Sequence, residues 1–148
     1  MNLKNKIFQL IFFMVLFSCC PQNKFQLGAQ INGDISSRNK IMIPSGALLD
    51  VKEIHYKNIS YTLAISENKK IKYISTKDSK FSVEKLKIND DISKIFDETK
   101  IKYIPGWGYY MKVNSEWYVG LDFRMKPTKS SKIGWFFKYE FSEPNPNW

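Results

Sequence analysis

The sequence predicts one α+β domain: an antiparallel sheet of about five or six strands, with one or two short helices packed on one face. Two observations predict this class. Three stretches alternate between apolar and polar residues, and one intervening segment repeats apolar residues at helical spacing. The chain has 148 residues, of which 43% are hydrophobic, enough for one packed core. We place the domain at residues 41–148.

Two hairpins are predicted from the alternation. In the first, the runs 61–65 and 71–74 flank a polar turn. In the second, the runs 109–113 and 117–123 flank the turn Asn114-Ser115-Glu116. These runs are rich in aromatic and β-branched side chains, which pack well on a pleated sheet. A final strand at 133–141 is predicted to place alternate residues on one side: Ile133, Trp135, Phe137, Tyr139 and Phe141.

The segment 88–96 has a different period and predicts a helix. Its apolar residues fall at positions i, i+4, i+7 and i+8: Ile88, Ile92, Ile95 and Phe96. Asn89 is expected to cap the helix, and Asp90 and Asp91 would lie at the positive end of its dipole. Residues 45–51 predict a second, shorter helix, because proline and serine suit a helix start.

The front of the chain has the layout of an export signal. Residues 1–6 carry two lysines, and residues 7–17 are apolar except for Gln9. An apolar run of this length rises only about 17 Å as a helix, roughly half the thickness of the hydrocarbon layer. We therefore predict a signal peptide at 1–18. A flexible tether rich in Gln, Asn, Ser and Gly is predicted at 19–40.

Leu16-Phe17-Ser18-Cys19 resembles the lipobox of bacterial lipoproteins. That family has a leucine three places before the cysteine and a small residue just before it, whereas Phe17 stands where a small residue is favoured. The resemblance implies that Cys19 is lipidated and becomes the first residue of the mature chain. It also implies a membrane partner and a periplasm-facing location in the cell envelope, with the outer membrane expected. An ordinary cleaved signal is the alternative.

Charge and cysteine usage exclude several functions. The net charge is +9, yet Arg38 and Arg124 are the only arginines. Arginine performs most recognition of base edges, so we expect no nucleic-acid partner. Cys19 and Cys20 are adjacent and allow no disulfide between distant segments. His55 is the only histidine, so we expect no metal site and no cofactor.

The most distinctive run is Pro105-Gly106-Trp107-Gly108-Tyr109-Tyr110. The two glycines allow a tight bend that presents the tryptophan ring, and Trp117 follows on the next predicted strand. Trp107, Tyr109, Tyr110 and Trp117 are therefore candidates for stacking a sugar or clasping a peptide. The alternative is that these rings fill the core, because alternation places Tyr109 and Trp117 on core-facing stripes.

A second distinctive run, Ile-Ser-Thr-x-Asp-x-x-Phe, ends at residue 81. Thr76 and Asp78 are expected to satisfy backbone groups of the following loop. Together with the Gly-Trp-Gly-Tyr-Tyr run, this pattern resembles a group of small bacterial envelope lipoproteins over roughly residues 70–140, a resemblance that implies no activity. A helix followed by antiparallel strands is also similar to small outer-membrane assembly lipoproteins with a β-lactamase-inhibitor-like fold.

Three functions are open at the level of sequence. We expect a lipid-anchored binding or assembly module with an envelope protein or glycan as partner, because no residues form an evident catalytic group. The first alternative is an envelope hydrolase acting on glycan or peptide. It requires two of the following to meet in one cleft: His55, Asp78, Glu116 and Asp122. The second alternative is a purely structural envelope protein.

Overall fold

The computed structural model describes residues 25–32, 39–121 and 124–141, which form a curled antiparallel sheet. Eight strands lie in the order β1-β2-β3-β4-β10-β9-β8-β7, and β5 and β6 form a separate ribbon. The strands are β1 Lys40–Met42, β2 Leu48–Tyr56, β3 Ile59–Ile65, β4 Ile71–Thr76, β5 Ser82–Val83, β6 Leu86–Lys87, β7 Lys102–Ile104, β8 Gly108–Lys112, β9 Tyr118–Leu121 and β10 Ile133–Tyr139. The predicted signal peptide and Cys19 lie outside the described residues.

Both predicted hairpins and the final strand are confirmed. The first hairpin is β3–β4 and the second is β8–β9, each paired in antiparallel register. In the second turn, the Asn114 carboxamide oxygen accepts the backbone N–H groups of Glu116 at 3.0 Å and Trp117 at 2.9 Å. This side chain thereby satisfies turn donors that the sheet leaves unpaired.

The predicted α+β class is wrong, because the described part of the chain contains no α-helix, only a short 3₁₀ turn at Glu98–Lys100. The segment 88–96 is a series of turns. Asn89 has φ 68°, the left-handed region, which a helix cap does not adopt. The backbone here pairs with residues 131–133: the Asn89 N–H donates to Ile133 O at 3.0 Å. The four predicted apolar residues nevertheless all pack on the core.

The predicted second helix at 45–51 is also wrong. Gly46 has φ 83°, and its N–H donates to Ile43 O at 2.8 Å, which closes a turn. Strand β2 begins two residues later and pairs with β3 over seven residues. The similarity to the β-lactamase-inhibitor-like fold rested on a helix that these residues do not form. The sheet has eight strands where about five or six were predicted.

One face of the sheet carries the main core. Residues 25–32, the β5–β6 ribbon and the turns at 88–96 cover this face. Residues 25–32, within the segment predicted to be a tether, lie along β4: the Gly28 N–H donates to Ile71 O at 2.8 Å. The most deeply buried side chains of this face are Leu63, Ile65, Ile92, Met111, Val119, Leu121, Ile133 and Phe136. We call it the convex face.

The sheet curls around its other face, which is therefore concave. Eight flat strands would hold their edges about 34 Å apart. Here Met42 on the first strand approaches the turn before β8, since its terminal methyl lies 3.9 Å from where a Cβ on Gly106 would stand. Ile41 and Leu49 from one edge and Trp107 and Tyr110 from the other pack on the same cluster. The two ends of the sheet thus approach each other on the concave side.

The predicted side of Ile133 in the final strand is wrong, because β10 contains a register shift. The pairing with β9 moves by one residue between Ile133 and Trp135. Because an extra residue reverses the alternation, Ile133 lies on the convex face, whereas it was predicted on the side of Trp135. The remaining members of the predicted stripe do share the concave face: Trp135, Phe137, Tyr139 and Phe141.

Candidate functional site

Eight aromatic side chains gather on the concave face: Tyr73, Trp107, Tyr110, Tyr118, Trp135, Phe137, Tyr139 and Phe141. We call them the concave aromatic cluster. Tyr73 and Phe137 form its floor, at 2% and 0% exposure, and the other six are half-buried. Most ring pairs meet edge-on, but Tyr110 and Phe141 are parallel, with centroids 4.9 Å apart. A buried floor therefore holds a layer of rings that still reach solvent.

Strand register arranges the cluster in rows across the sheet, because directly opposed residues share a face. One row runs Lys102, Tyr110, Gly120, Trp135. The adjacent row runs Lys112, Tyr118, Phe137, Ser75, Thr62, Glu53. Each row thus begins with a lysine and continues into aromatic rings.

Gly120 makes room for the Trp135 ring. A Cβ built on Gly120 would lie 2.0 Å from Trp135 Cε2, far inside van der Waals contact. The indole therefore lies directly over the Gly120 backbone, and a residue with a side chain would displace it. Glycine in the middle of β9 is explained by this close approach.

The glycine-flanked bend predicted from sequence is present between β7 and β8. Gly106 has φ 76°, and the Trp107 N–H donates to Ile104 O at 3.0 Å, closing the turn. The bend delivers the Trp107 ring to the centre of the concave cluster. Its centroid lies 4.9 Å from that of Phe137 and 5.5 Å from that of Trp135.

The four predicted ligand-binding residues lie on opposite faces. Trp107 and Tyr110 belong to the concave aromatic cluster, whereas Tyr109 and Trp117 pack on the convex core. Trp117 is only 7% exposed, with the Phe81 ring 4.7 Å away and Lys138 Nζ 4.9 Å from its centroid. The sequence did not identify the other six cluster members as ligand-binding candidates: Tyr73, Tyr118, Trp135, Phe137, Tyr139 and Phe141. Four of the six, Trp135, Phe137, Tyr139 and Phe141, belong to the stripe that the sequence predicted on one side of the final strand.

Burial disfavours ionisation of three hydroxyls in the cluster, those of Tyr73, Tyr110 and Tyr118. Burial, which disfavours the phenolate, raises the pKa values of Tyr110 and Tyr118. The two ring centroids lie 6.0 Å apart, and Tyr118 adds a smaller upward shift to the pKa of Tyr110. Burial also raises the pKa of Tyr73, whose hydroxyl shares hydrogen bonds with Ser75 and Trp135. At neutral pH these groups are therefore neutral phenols, able to donate and to accept hydrogen bonds.

Two hollows flank Tyr139 at the end of β10. The larger, of about 460 Å³, lies between Gln26, Tyr118 and Phe141, with Glu116, Lys138 and Glu140 at its polar side. The smaller, of about 340 Å³, is bounded by Leu49, Lys72 and Tyr139. Both volumes fall near the lower end of the range for small-molecule sites, so this end of the sheet offers open hollows beside the rings.

Two of the four residues considered for a hydrolase, His55 and Asp78, both contact Ser60, but they do not form a catalytic triad. His55 Nδ1 lies 3.0 Å from Ser60 Oγ, and Asp78 accepts the Ser60 backbone N–H at 3.0 Å. The other Asp78 oxygen accepts the Lys80 N–H at 2.9 Å, and these backbone bonds lower the pKa of Asp78. A Ser-His-Asp triad places serine and aspartate on different ring nitrogens, whereas here Asp78 binds backbone.

Asp78 therefore pins the loop after β4 to β3. Thr76 assists it, because the Thr76 hydroxyl donates to Ser60 O at 2.7 Å and accepts the Asp78 N–H at 3.1 Å. Both residues satisfy loop backbone groups, as predicted. Glu116 lies at the other end of the sheet, paired with Lys138, and Asp122 lies outside the described residues.

Within 25–32, 39–121 and 124–141, no three or more His, Cys, Asp or Glu residues are grouped to hold a metal ion. The same residues include no helix of the length and hydropathy that crossing a bilayer requires. No protein-family model matches the chain, and no curated protein or solved structure is significantly similar to it.

Proposed function

We propose that the protein is a lipid-anchored binding module of the cell envelope and that its concave aromatic cluster binds a glycan. The observation that carries the proposal is the layer of six half-exposed rings on one concave surface. Covering such rings from water is favourable, and a concave site covers more of a ligand than a flat one does. The half-buried rings are thus available to a ligand.

The chemistry of the rim favours a glycan over an apolar partner. A sugar ring has a face of C–H groups and an edge of hydroxyls, so it needs an aromatic face beside hydrogen-bonding groups. The phenol hydroxyls of Tyr110 and Tyr118 and the polar side chains of Thr62 and Glu53 supply such groups. An apolar protein surface would leave the Tyr110 and Tyr118 hydroxyls unpaired, at a cost of about 1 to 3 kcal/mol for each buried group.

The anchor at Cys19 completes the proposal. Phe25 packs on the domain, so the six residues from Cys19 to Lys24 determine the distance to the membrane. Six extended residues reach at most about 22 Å. A lipid on Cys19 would therefore hold the domain close to the bilayer. Replacing Cys19 by serine should release the protein from membranes and abolish fatty-acid labelling, and unchanged membrane retention would contradict the anchor.

Glycan binding is tested with a glycan array carrying neutral and acidic oligosaccharides. Tyr110→Ala with Tyr118→Ala removes two rings of the cluster. Tyr103→Ala is the matched control, because Tyr103 is 52% exposed and faces the convex side opposite Tyr109. We expect glycan binding by the wild type and by Tyr103→Ala, with at least a tenfold loss in the double variant. Absence of binding to every glycan would contradict the proposal.

A further inference from the structure

Three lysines bracket the concave aromatic cluster. Lys102 and Lys112 open the two cross-strand rows on the β7–β8 side, opposite Tyr110 and Tyr118. Lys77 follows β4 on the other side, with its Nζ 5.9 Å from the Trp135 ring. Four strand intervals separate β7 from β4, about 19 Å before the sheet curls. The cations therefore lie on both sides of the rings.

None of these three lysines has a carboxylate partner in the part of the chain that the structure describes. The four ion pairs found there use other lysines: Lys40, Lys100, Lys126 and Lys138. Lys112 instead lies over the Tyr118 ring, with Nζ 5.8 Å from its centroid. Within the described residues, no carboxylate therefore neutralises the charges of these three lysines, which we call the lysine bracket.

Carboxylates are few on the same surface. Among the described strands, the register places one acid, Glu53, on the concave face, at the far end of the Lys112 row. Its carboxylate accepts a hydrogen bond from Thr62 Oγ1 at 2.8 Å. Glu116 and Glu140 line the hollow at the end of β10, where Glu116 pairs with Lys138. The field over the rings between the three lysines is therefore positive.

From this juxtaposition we infer that the glycan bound by the cluster is acidic. The inference rests on the proposed function and names the ligand class for the same site. Sugar faces stack on rings such as Tyr110, Tyr118 and Trp135, and the acid groups along the glycan meet Lys77, Lys102 and Lys112. Stacking supplies the preference for a sugar, and the lysine bracket supplies the preference for negative charge. Both features are needed for tight binding.

The probe is an oligogalacturonate compared with its fully methyl-esterified form, which has the same backbone without the charges. Binding is measured by calorimetry at low and at physiological salt. We expect the acid form to bind about tenfold or more tightly than the ester, and this difference to shrink with added salt. The triple variant Lys77→Gln, Lys102→Gln and Lys112→Gln should bind both forms equally.

The matched control is Lys87→Gln with Lys94→Gln and Lys129→Gln, which removes the same charge from exposed lysines outside the concave face. It should retain the preference of the wild type, and circular dichroism verifies the fold of each variant. The inference is overturned if the wild type binds the acid and the ester equally. It is also overturned if the control variant loses as much of the preference for the acid form as the Lys77, Lys102 and Lys112 variant does. If both forms then still lose affinity in the Tyr110→Ala and Tyr118→Ala variant, the proposed glycan site stands.

Polyaspartate separates a glycan site from simple charge attraction. It carries carboxylates but no sugar face, and we expect it to bind at least tenfold more weakly than oligogalacturonate. Polyaspartate binding as tight as that of the sugar acid, unaffected by loss of Tyr110 and Tyr118, overturns the inference and the proposed function together. Failure of both galacturonate forms to bind overturns the inference, and the glycan array then decides the proposed function independently.

Discussion

Adjacent residues Phe136 and Phe137 point to opposite faces of the sheet, and the two faces differ in chemistry. The convex face around Phe136 is a mainly aliphatic core that also holds the rings of Phe81 and Trp117, and chain segments cover it from water. The concave face around Phe137 is mostly aromatic, and six of its eight rings remain half-exposed. A core needs only apolar volume, whereas half-exposed Tyr and Trp rings suit a surface that meets ligand and water. We therefore assign stability mainly to the convex face and the proposed ligand binding to the concave face.

The largest expected effect is a loss of stability from the convex face. Phe136 is fully buried, so Phe136→Ala should lower the free energy of unfolding by about 3 to 5 kcal/mol. Tyr139 is half-buried on the concave face, and Tyr139→Ala should cost about 1 kcal/mol. Urea unfolding measures both. Equal losses would mean that the concave cluster is a second core and would remove the contrast.

Gly120 tests how tightly the concave rings are positioned. Gly120→Ala places a methyl group 2.0 Å from Trp135 Cε2, so the ring or the strand must shift. We expect a loss of about 1 to 3 kcal/mol and an altered near-ultraviolet circular dichroism spectrum. Gly134→Ala is the control, because its nearest contact would be 3.4 Å. Unchanged stability and spectrum in Gly120→Ala would show that Trp135 is free to move.

Two ion pairs contrast a buried with an exposed lysine. The Lys138 side chain is only 8% exposed, so Glu116→Gln weakens the ion pair of a buried cation. Glu116 itself is 56% exposed, so water screens this ion pair. We expect a loss of about 1 kcal/mol. Glu98→Gln breaks the exposed pair with Lys126 and should not change the unfolding midpoint measurably. A larger effect from Glu98→Gln would contradict this difference.

The smallest expected effect concerns the acid dependence of stability at Asp78. Its pKa is lowered by the Lys80 and Ser60 backbone N–H groups, so its contribution is present above the unfolded-state pKa of about 3.9. That contribution is lost as pH falls through the lower folded-state pKa. Wild type should therefore exceed Asp78→Asn in stability at neutral pH, and the difference should shrink in acid. A stability difference between wild type and Asp78→Asn that grows in acid would contradict this role of Asp78. Glu67→Gln is the control variant.

Sequence alone predicted the strands whose alternation was regular. The hairpins β3–β4 and β8–β9 and the strand β10 all follow from alternation, because burial on one face imposes a period of two. The helix at 88–96 failed for a local reason. The Asp91 carboxylate accepts the Ser93 N–H at 3.0 Å, and the Ile92 N–H donates to Ser131 O at 3.0 Å. Hydrogen bonds to a side chain and to a distant loop therefore take the place of the backbone hydrogen bonds of a helix.

The candidate site was predictable only in part. Trp107 and Tyr110 were identified from their glycine-rich surroundings, and both belong to the concave cluster. Trp135 and Tyr139 were predicted only to share one side of the final strand, because alternation does not tell which of two apolar faces is covered. The register shift before Trp135 and the approach of the two sheet edges arise from long-range pairing, which a local pattern does not contain.

The central claim is that ligand binds the concave and not the convex face. Tryptophan indole N–H resonances test it directly, because Trp107 and Trp135 belong to the concave cluster while Trp117 is buried on the convex side. The three are assigned by single Trp→Phe replacements and followed by NMR during titration with oligogalacturonate. We predict that the Trp107 and Trp135 resonances shift with a common dissociation constant while Trp117 stays in place. A shift of Trp117 with Trp107 and Trp135 unmoved would contradict the account.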